Sequence, residues 1–145
     1  HLATIFNEVR LKKYIEIRSL DTCEWDCHCG GPAFYTGLIY GNLEEALNII
    51  NKWKISEVLN AYIEVPKKGL STIISNKSLF EWGKVFLSLA QKGLENRSIK
   101  NSAGKDETIF LRSVESILYQ NKNKANLTID KFINEKNLEF LYEKT

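Results

Sequence analysis

The run Tyr14-Ile15-Glu16-Ile17-Arg18 sets the first constraint on this chain, because it is a strand pattern ahead of a sequence whose other apolar residues recur at helical spacing. Side chains alternate faces along a strand, so Ile15 and Ile17 point toward a core while Tyr14, Glu16 and Arg18 point away from it. A lone strand cannot satisfy its own N–H and C=O groups. Its partners must come from residues 1–10 folding back as a hairpin, from an upstream part of the same polypeptide, or from a second copy of the chain. The polar face can also carry chemistry. Residues two apart on one strand face lie about 6–7 Å apart, which lets the carboxylate of Glu16 and the guanidinium of Arg18 share a ligand. A carboxylate is a hard oxygen ligand for Mg²⁺ and a guanidinium is a planar fork for phosphate oxygens, so a metal-bound polyphosphate suits the pair. From alternation alone the plainer reading is an amphipathic strand with a solvated Glu/Arg face.

The remainder reads as helices. Asp21 to Pro32 is an irregular loop closed by Gly30-Gly31-Pro32, and Ala33 to Tyr40 is apolar but too short to assign by period. Asn42, with Glu45 three residues on, reads as an N-cap for a helix running to about Trp53, with Leu43, Ala46, Leu47 and Ile50 at helical spacing. A shorter helix after Ser56 is expected to bury Val58, Leu59 and Tyr62 and to close at Pro66 and Gly69. Ser78-Leu-Phe-Glu81 is a capping box, and Trp82, Val85, Phe86, Leu89, Ala90 and Leu94 follow on one helical face. Beyond a polar loop from Asn96 to Lys105, a third long helix is expected from about Glu107 to Tyr119. Thr128 then caps a last helix, with Leu127 and Phe132 at hydrophobic-staple spacing and Ile129, Phe132, Ile133, Leu138 and Leu141 on its inner face. The sum is an α+β chain, mostly helical, with four to five helices after one strand and a single unit over residues 1–145.

With 145 residues, 43% of them hydrophobic, the chain is long enough for one compact domain and too short to suggest two. A net charge of +2 with scattered lysines argues against a nucleic-acid partner. No run approaches a membrane span and the N-terminus lacks signal-peptide character, so a cytoplasmic home is expected, with no membrane partner. Cys23, Cys27 and Cys29 form a poor disulfide framework and are expected as free or partly buried thiols. With His28 they offer four soft ligands, yet no second ligand pair lies downstream, so zinc is a distant reading. The chain has no methionine and opens on His1, from which a longer natural polypeptide is expected.

The wording of residues 1–21 and of Pro32-Ala-Phe-Tyr-Thr-Gly-Leu-Ile-Tyr40 resembles the C-terminal third of glutamate–cysteine ligases of the plant and proteobacterial type. The likeness continues more thinly through Trp53, Val65-Pro66-Lys-Lys-Gly69-Leu70 and Leu89-Ala-Gln-Lys-Gly-Leu-Glu-Asn-Arg97. The resemblance implies the C-terminal part of a glutamine-synthetase-like catalytic domain, with residues 1–21 as an active-site strand region and 33–145 as a helical region. It implies joining of the γ-carboxylate of glutamate to the amine of cysteine, with ATP and Mg²⁺, as the first step of glutathione biosynthesis. Matched residue by residue, it makes Glu16 a metal ligand and Arg18 the catalytic contact to the γ-phosphate. Arg10 would bind a substrate carboxylate, or else pair with Glu8 or another acid. Phe34 and Tyr35 stand where the family has a Phe-Trp pair and would line the amino-acid pocket, or else belong to the core. The implied partners are glutamate, cysteine and ATP, with an upstream part of the same ligase or a self-associating strand completing the sheet. The chain alone is expected to be inactive, because most acidic metal ligands must lie outside it. The rival reading is a non-catalytic remnant or a helical interaction module.

Overall fold

The strand finds its partner locally: Val9–Leu11 (β1) and Ile15–Ile17 (β2) form an antiparallel hairpin in a computed structural model that describes residues 8–20 and 25–142. The register sets Val9 against Ile17, Arg10 against Glu16 and Leu11 against Ile15, and the Arg18 N–H extends the ladder by donating to Glu8 O at 2.9 Å. Of the three possible sources of a partner, the hairpin is the one observed. Its apolar face is not core, however. Ile15 is 62% exposed, and Val9 and Leu11 are exposed beside it. Alternation told which side is apolar and not what would cover it.

Among the described residues six α-helices follow, one more than the upper expectation: Gly30–Thr36 (α1), Leu43–Ile50 (α2), Ile55–Lys68 (α3), Leu79–Arg97 (α4), Arg112–Gln120 (α5) and Lys124–Glu135 (α6). The Gly30-Gly31-Pro32 run opens α1 and does not end a loop. Proline is tolerated in a first helical turn, where its missing N–H would have had no intrahelical partner. A π-helical turn, Gly37–Gly41, joins α1 to α2, and the expected helix from Glu107 begins as a 3-10 segment, Glu107–Leu111, that leads into α5. Between α3 and α4 a small hairpin of Ile73–Ile74 (β3) and Lys77–Ser78 (β4) was not foreseen. Its turn is made by Ser75 and Asn76, both at positive φ, a pairing that short hairpins require and that Asn tolerates. Pro66 lies inside α3, and Gly69, at φ 54°, ends it.

The longest helix, α4, is the spine. It meets the π-helical turn through small residues: a Cβ placed on Gly37 would fall 2.2 Å from the carbonyl oxygen of Ala90, and one on Gly93 would fall 2.0 Å from the carbonyl oxygen of Gly37. Backbones approach this closely only where the facing residues carry little or no side chain. Below this contact Ala33, Leu94 and Leu111 form the buried core, with Phe34 and Leu87 packed against it. A second cluster stacks Trp53, Trp82 and Phe86, with Trp53 and Trp82 centroids 5.1 Å apart and the Trp82 indole donating to Ile74 O at 2.8 Å. Aromatic pairs of this kind add about 0.5–1.5 kcal/mol beyond the area they bury.

The capping box at the head of α4 forms as the sequence indicates. Ser78 Oγ accepts from Glu81 N at 3.2 Å and Glu81 Oε2 accepts from Ser78 N at 2.8 Å, which holds the Glu81 carboxyl below its usual range. Ser78→Ala is expected to cost about 1 kcal/mol, a fall of about 3 °C in Tm by thermal circular dichroism. An unchanged Tm would mean that the box contributes nothing. Two other caps differ from expectation. Asn123, not Thr128, caps α6, in a reciprocal pair with Asn126. Asn42 precedes α2, but its side-chain amide donates to Leu89 O at 2.7 Å, tying α2 to the spine.

Several expected inner faces are open. In α2 only Ala46 is buried, and Leu43, Leu47 and Ile50 are exposed. In α3 only Ala61 is buried, whereas Leu59 and Tyr62, expected in the core, are 61% and 68% exposed. In α6 no residue is buried. Period identifies a helix's apolar side, but burial also needs something to pack on it. Among the described residues no helix is long and apolar enough to cross a membrane.

Candidate active site

The first hairpin places the charged residues. Because Arg10 and Glu16 are directly opposed in the β1–β2 register, their side chains leave the sheet on one face and meet. Arg10 Nε and Nη2 each lie 2.7 Å from Glu16 Oε2, and Lys12 Nζ stands 4.0 Å from the same oxygen. The Arg10 side chain is 19% exposed and that of Glu16 31%, so the pair is half-sheltered. The alternative that Arg10 pairs with an acid is therefore met, and the acid is Glu16. The signal was in the sequence: the two lie six positions apart, and Lys12-Lys13 sits between them at the turn. Reading Glu16 chiefly with Arg18, its neighbour along the strand, passed over the partner across it.

Glu16 is held below the usual carboxylate range, first by the hydrogen bond from Arg10, then by the positive charges of Arg10, Lys12 and Arg18 working against desolvation. It therefore stays ionised at a pH where an ordinary glutamate has taken a proton. The pairing is fully present above the ordinary glutamate range and is lost only as pH falls through the lowered value. Arg10→Gln is expected to move the Glu16 titration up toward the ordinary value in a carboxyl-carbon NMR titration. A Glu16 midpoint that did not move would contradict the pairing.

The other expected site residues follow nearby in sequence. Arg18 is half-buried just past β2, held by its backbone bond to Glu8. Phe34 and Tyr35 lie on α1 with their rings edge to face, 5.6 Å between centroids. They part company there: Phe34 packs against the buried core, and the Tyr35 hydroxyl reaches Ser19 Oγ at 3.4 Å, one residue beyond Arg18. Tyr35 is thus the aromatic residue on the hairpin side.

Arg10 and Lys12 both meet Glu16 through Oε2. One carboxylate oxygen with substrate phosphates and water is a normal Mg²⁺ environment. Among the described residues no group of three or more His, Cys, Asp or Glu side chains could hold a metal, so this carboxylate would be one member of a wider set. In the cysteine loop the thiol expectation is corrected. Cys27 is disulfide-bonded, which removes its sulfur as a zinc ligand, and Cys29 carries a free, exposed thiol. Cys23 lies outside the described residues.

A family model for glutamate-cysteine ligase family 2 (GCS2) matches residues 1–144. The chain is 38% identical to a chloroplastic glutamate–cysteine ligase of Solanum lycopersicum over 120 residues, covering 81% of this chain and 22% of that protein. It is 36% identical to the chloroplastic enzyme of Arabidopsis thaliana, with 81% and 22% covered, and 35% identical to a chloroplastic ligase A of Oryza sativa subsp. indica, with 81% and 23% covered. The chain thus spans between a fifth and a quarter of the length of these relatives. Their plastid location overturns the cytoplasmic expectation. Composition and hydropathy separate membrane-bound chains from others, and they do not distinguish one aqueous compartment from another. A match over nearly the whole chain, joined to relatives above 30% identity, settles the kinship: the chain belongs to glutamate–cysteine ligase family 2.

Proposed function

We propose that this chain works within an ATP-dependent glutamate–cysteine ligase and supplies the β1–β2 hairpin to its active site, in the first step of glutathione synthesis. The observation that carries the reading is the Arg10–Glu16 pair, half-sheltered on a hairpin in the stretch of strongest family wording. In the reaction the γ-carboxylate of glutamate attacks the γ-phosphorus of ATP, releasing ADP and forming an acyl phosphate. The amine of cysteine then attacks the acyl carbon, phosphate leaves with the bonding pair, and the amine loses a proton. Both steps gather negative charge on phosphoryl oxygens.

Arg18 is assigned to those oxygens, where a planar guanidinium binds two at once. Glu16 is assigned to Mg²⁺, which when bound would neutralise phosphate charge. Arg10 is assigned to orienting Glu16 and to a substrate carboxylate. Tyr35, with Phe34 behind it, is assigned to one wall of the amino-acid pocket. The glutamine-synthetase-like sheet belongs to this proposal as the setting in which the hairpin acts.

Because the chain spans only about 22% of its tomato relative, the 145-residue chain by itself is expected to form no γ-glutamylcysteine. Incubation with glutamate, cysteine, ATP and Mg²⁺, followed by mass spectrometry for the dipeptide, tests this. Sustained product would show that the division of the site is wrong.

A further inference from the structure

Helix α3 is turned apolar side out. The residues on its sheltered side are Ala61, buried, and Glu57 and Glu64, half-buried, while Ile55, Leu59, Tyr62 and Ile63 stand exposed on one contiguous side. Helix α2 ahead of it also leaves Leu47 and Ile50 exposed. A surface helix normally buries its apolar stripe and solvates its charges. Helix α3 does the reverse, and an exposed apolar side of this kind marks an interaction face. The hairpin joins this side of the molecule, since the Tyr62 hydroxyl donates to Glu8 at 3.2 Å, and among the described residues β1 and β2 pair only with each other. By contrast, the Ala33–Leu94–Leu111 cluster is drawn from α1, α4 and the 3-10 segment before α5, and α2 and α3 each bury a single alanine.

We infer that the α2–α3 face is the seat of the polypeptide that makes up the rest of a family-length ligase, which lays apolar side chains over Ile55, Leu59 and Ile63 and adds strands at the hairpin edge. The chain spans about 22% of its tomato relative, so the family has ample polypeptide for this role. A two-stranded sheet is marginal alone and gains most from added strands. The inference rests on family membership and not on the reaction proposed above. The helical body is the platform, and α2–α3 is the docking layer.

The test pairs one double substitution, Leu59→Glu with Ile63→Glu, with the control Lys92→Glu at an exposed position of α4. In the chain alone, where both leucine and isoleucine face water, the double variant is expected to keep the unmodified Tm within about 2 °C. The chain is then co-expressed with a tagged tomato ligase lacking the matched 120 residues, and also spliced into that ligase in their place. Expected results are co-purification of the unmodified chain and the Lys92→Glu control, at least tenfold less capture of the double variant, and a loss of folded protein when the double variant is spliced. Equal behaviour of all three in the spliced protein would overturn the inference. So would a dimer of the chain alone that the double variant breaks, since the occupant would then be a second copy. Capture and folding are read without turnover, so an inactive but well-assembled complex would count against the ligase reaction and leave this inference standing.

Discussion

Glu16→Gln, made in a family-length ligase carrying this chain in place of its own matched stretch, is expected to lower kcat/KM for γ-glutamylcysteine by about 10²–10³-fold. Gln is the same size and still accepts from Arg10, so the hairpin should persist while the charge that attracts a cation is gone. The proposed metal role makes a sharper statement: the Mg²⁺ concentration for half-maximal rate should rise in Glu16→Gln and stay put in Arg18→Lys. Arg18→Lys keeps a positive charge but loses the planar fork, and a fall of at least about 10²-fold in kcat is expected. A structural role for either residue would show instead as a lowered Tm with an unchanged Mg²⁺ dependence. Because Arg10 holds Glu16 by Oε2, Arg10→Gln should weaken both the Mg²⁺ response and the glutamate KM, tying the kinetic test to the titration described above.

The second large effect is on folding. A Cβ at Gly93 would lie 2.0 Å from the carbonyl oxygen of Gly37 and 3.1 Å from Gly41 Cα, and both neighbours are backbone. Backbone cannot swing aside as a side chain does, so Gly93→Ala must push α4 away from the π-helical turn and open the Ala33–Leu94–Leu111 core next to it. We expect a loss of about 3 kcal/mol or more, about 10 °C in Tm. Gly83 on the same helix is the control. There the added carbon would meet only the tip of Leu118, 2.7 Å away, and alanine is intrinsically the better helix former by about 1 kcal/mol. Gly83→Ala should therefore stay near neutral, and equal losses at the two positions would refute the backbone-contact account.

Much of the helical body was legible because its signals are local. Ser78 and Glu81 announce the start of α4 three residues apart, and that cap forms as read. What the sequence hid was long-range. Nothing near Gly37 or Gly93 says that they face each other across the fold, and Asn42, an ordinary cap by its neighbours, is drawn to Leu89 instead. The two-residue hairpin after Ile74 is shorter than any alternation that could reveal it. The stripes of α2 and α3 were read correctly as apolar and wrongly as buried, because periodicity carries no record of the partner surface. At the site, the residue types and their strand were readable from residues 8–18, whereas the direct partner of Glu16 depended on a register that only the hairpin fixes.

The most direct test of the central claim is product formation by the tomato ligase in which this chain replaces the matched 120 residues, followed by dipeptide and ADP together. The ligase reading predicts γ-glutamylcysteine with one ADP per peptide bond formed, dependent on glutamate, cysteine and Mg²⁺. A spliced protein that folds as stably as its parent yet forms neither product would contradict it, and would leave the chain as a non-catalytic member of its family.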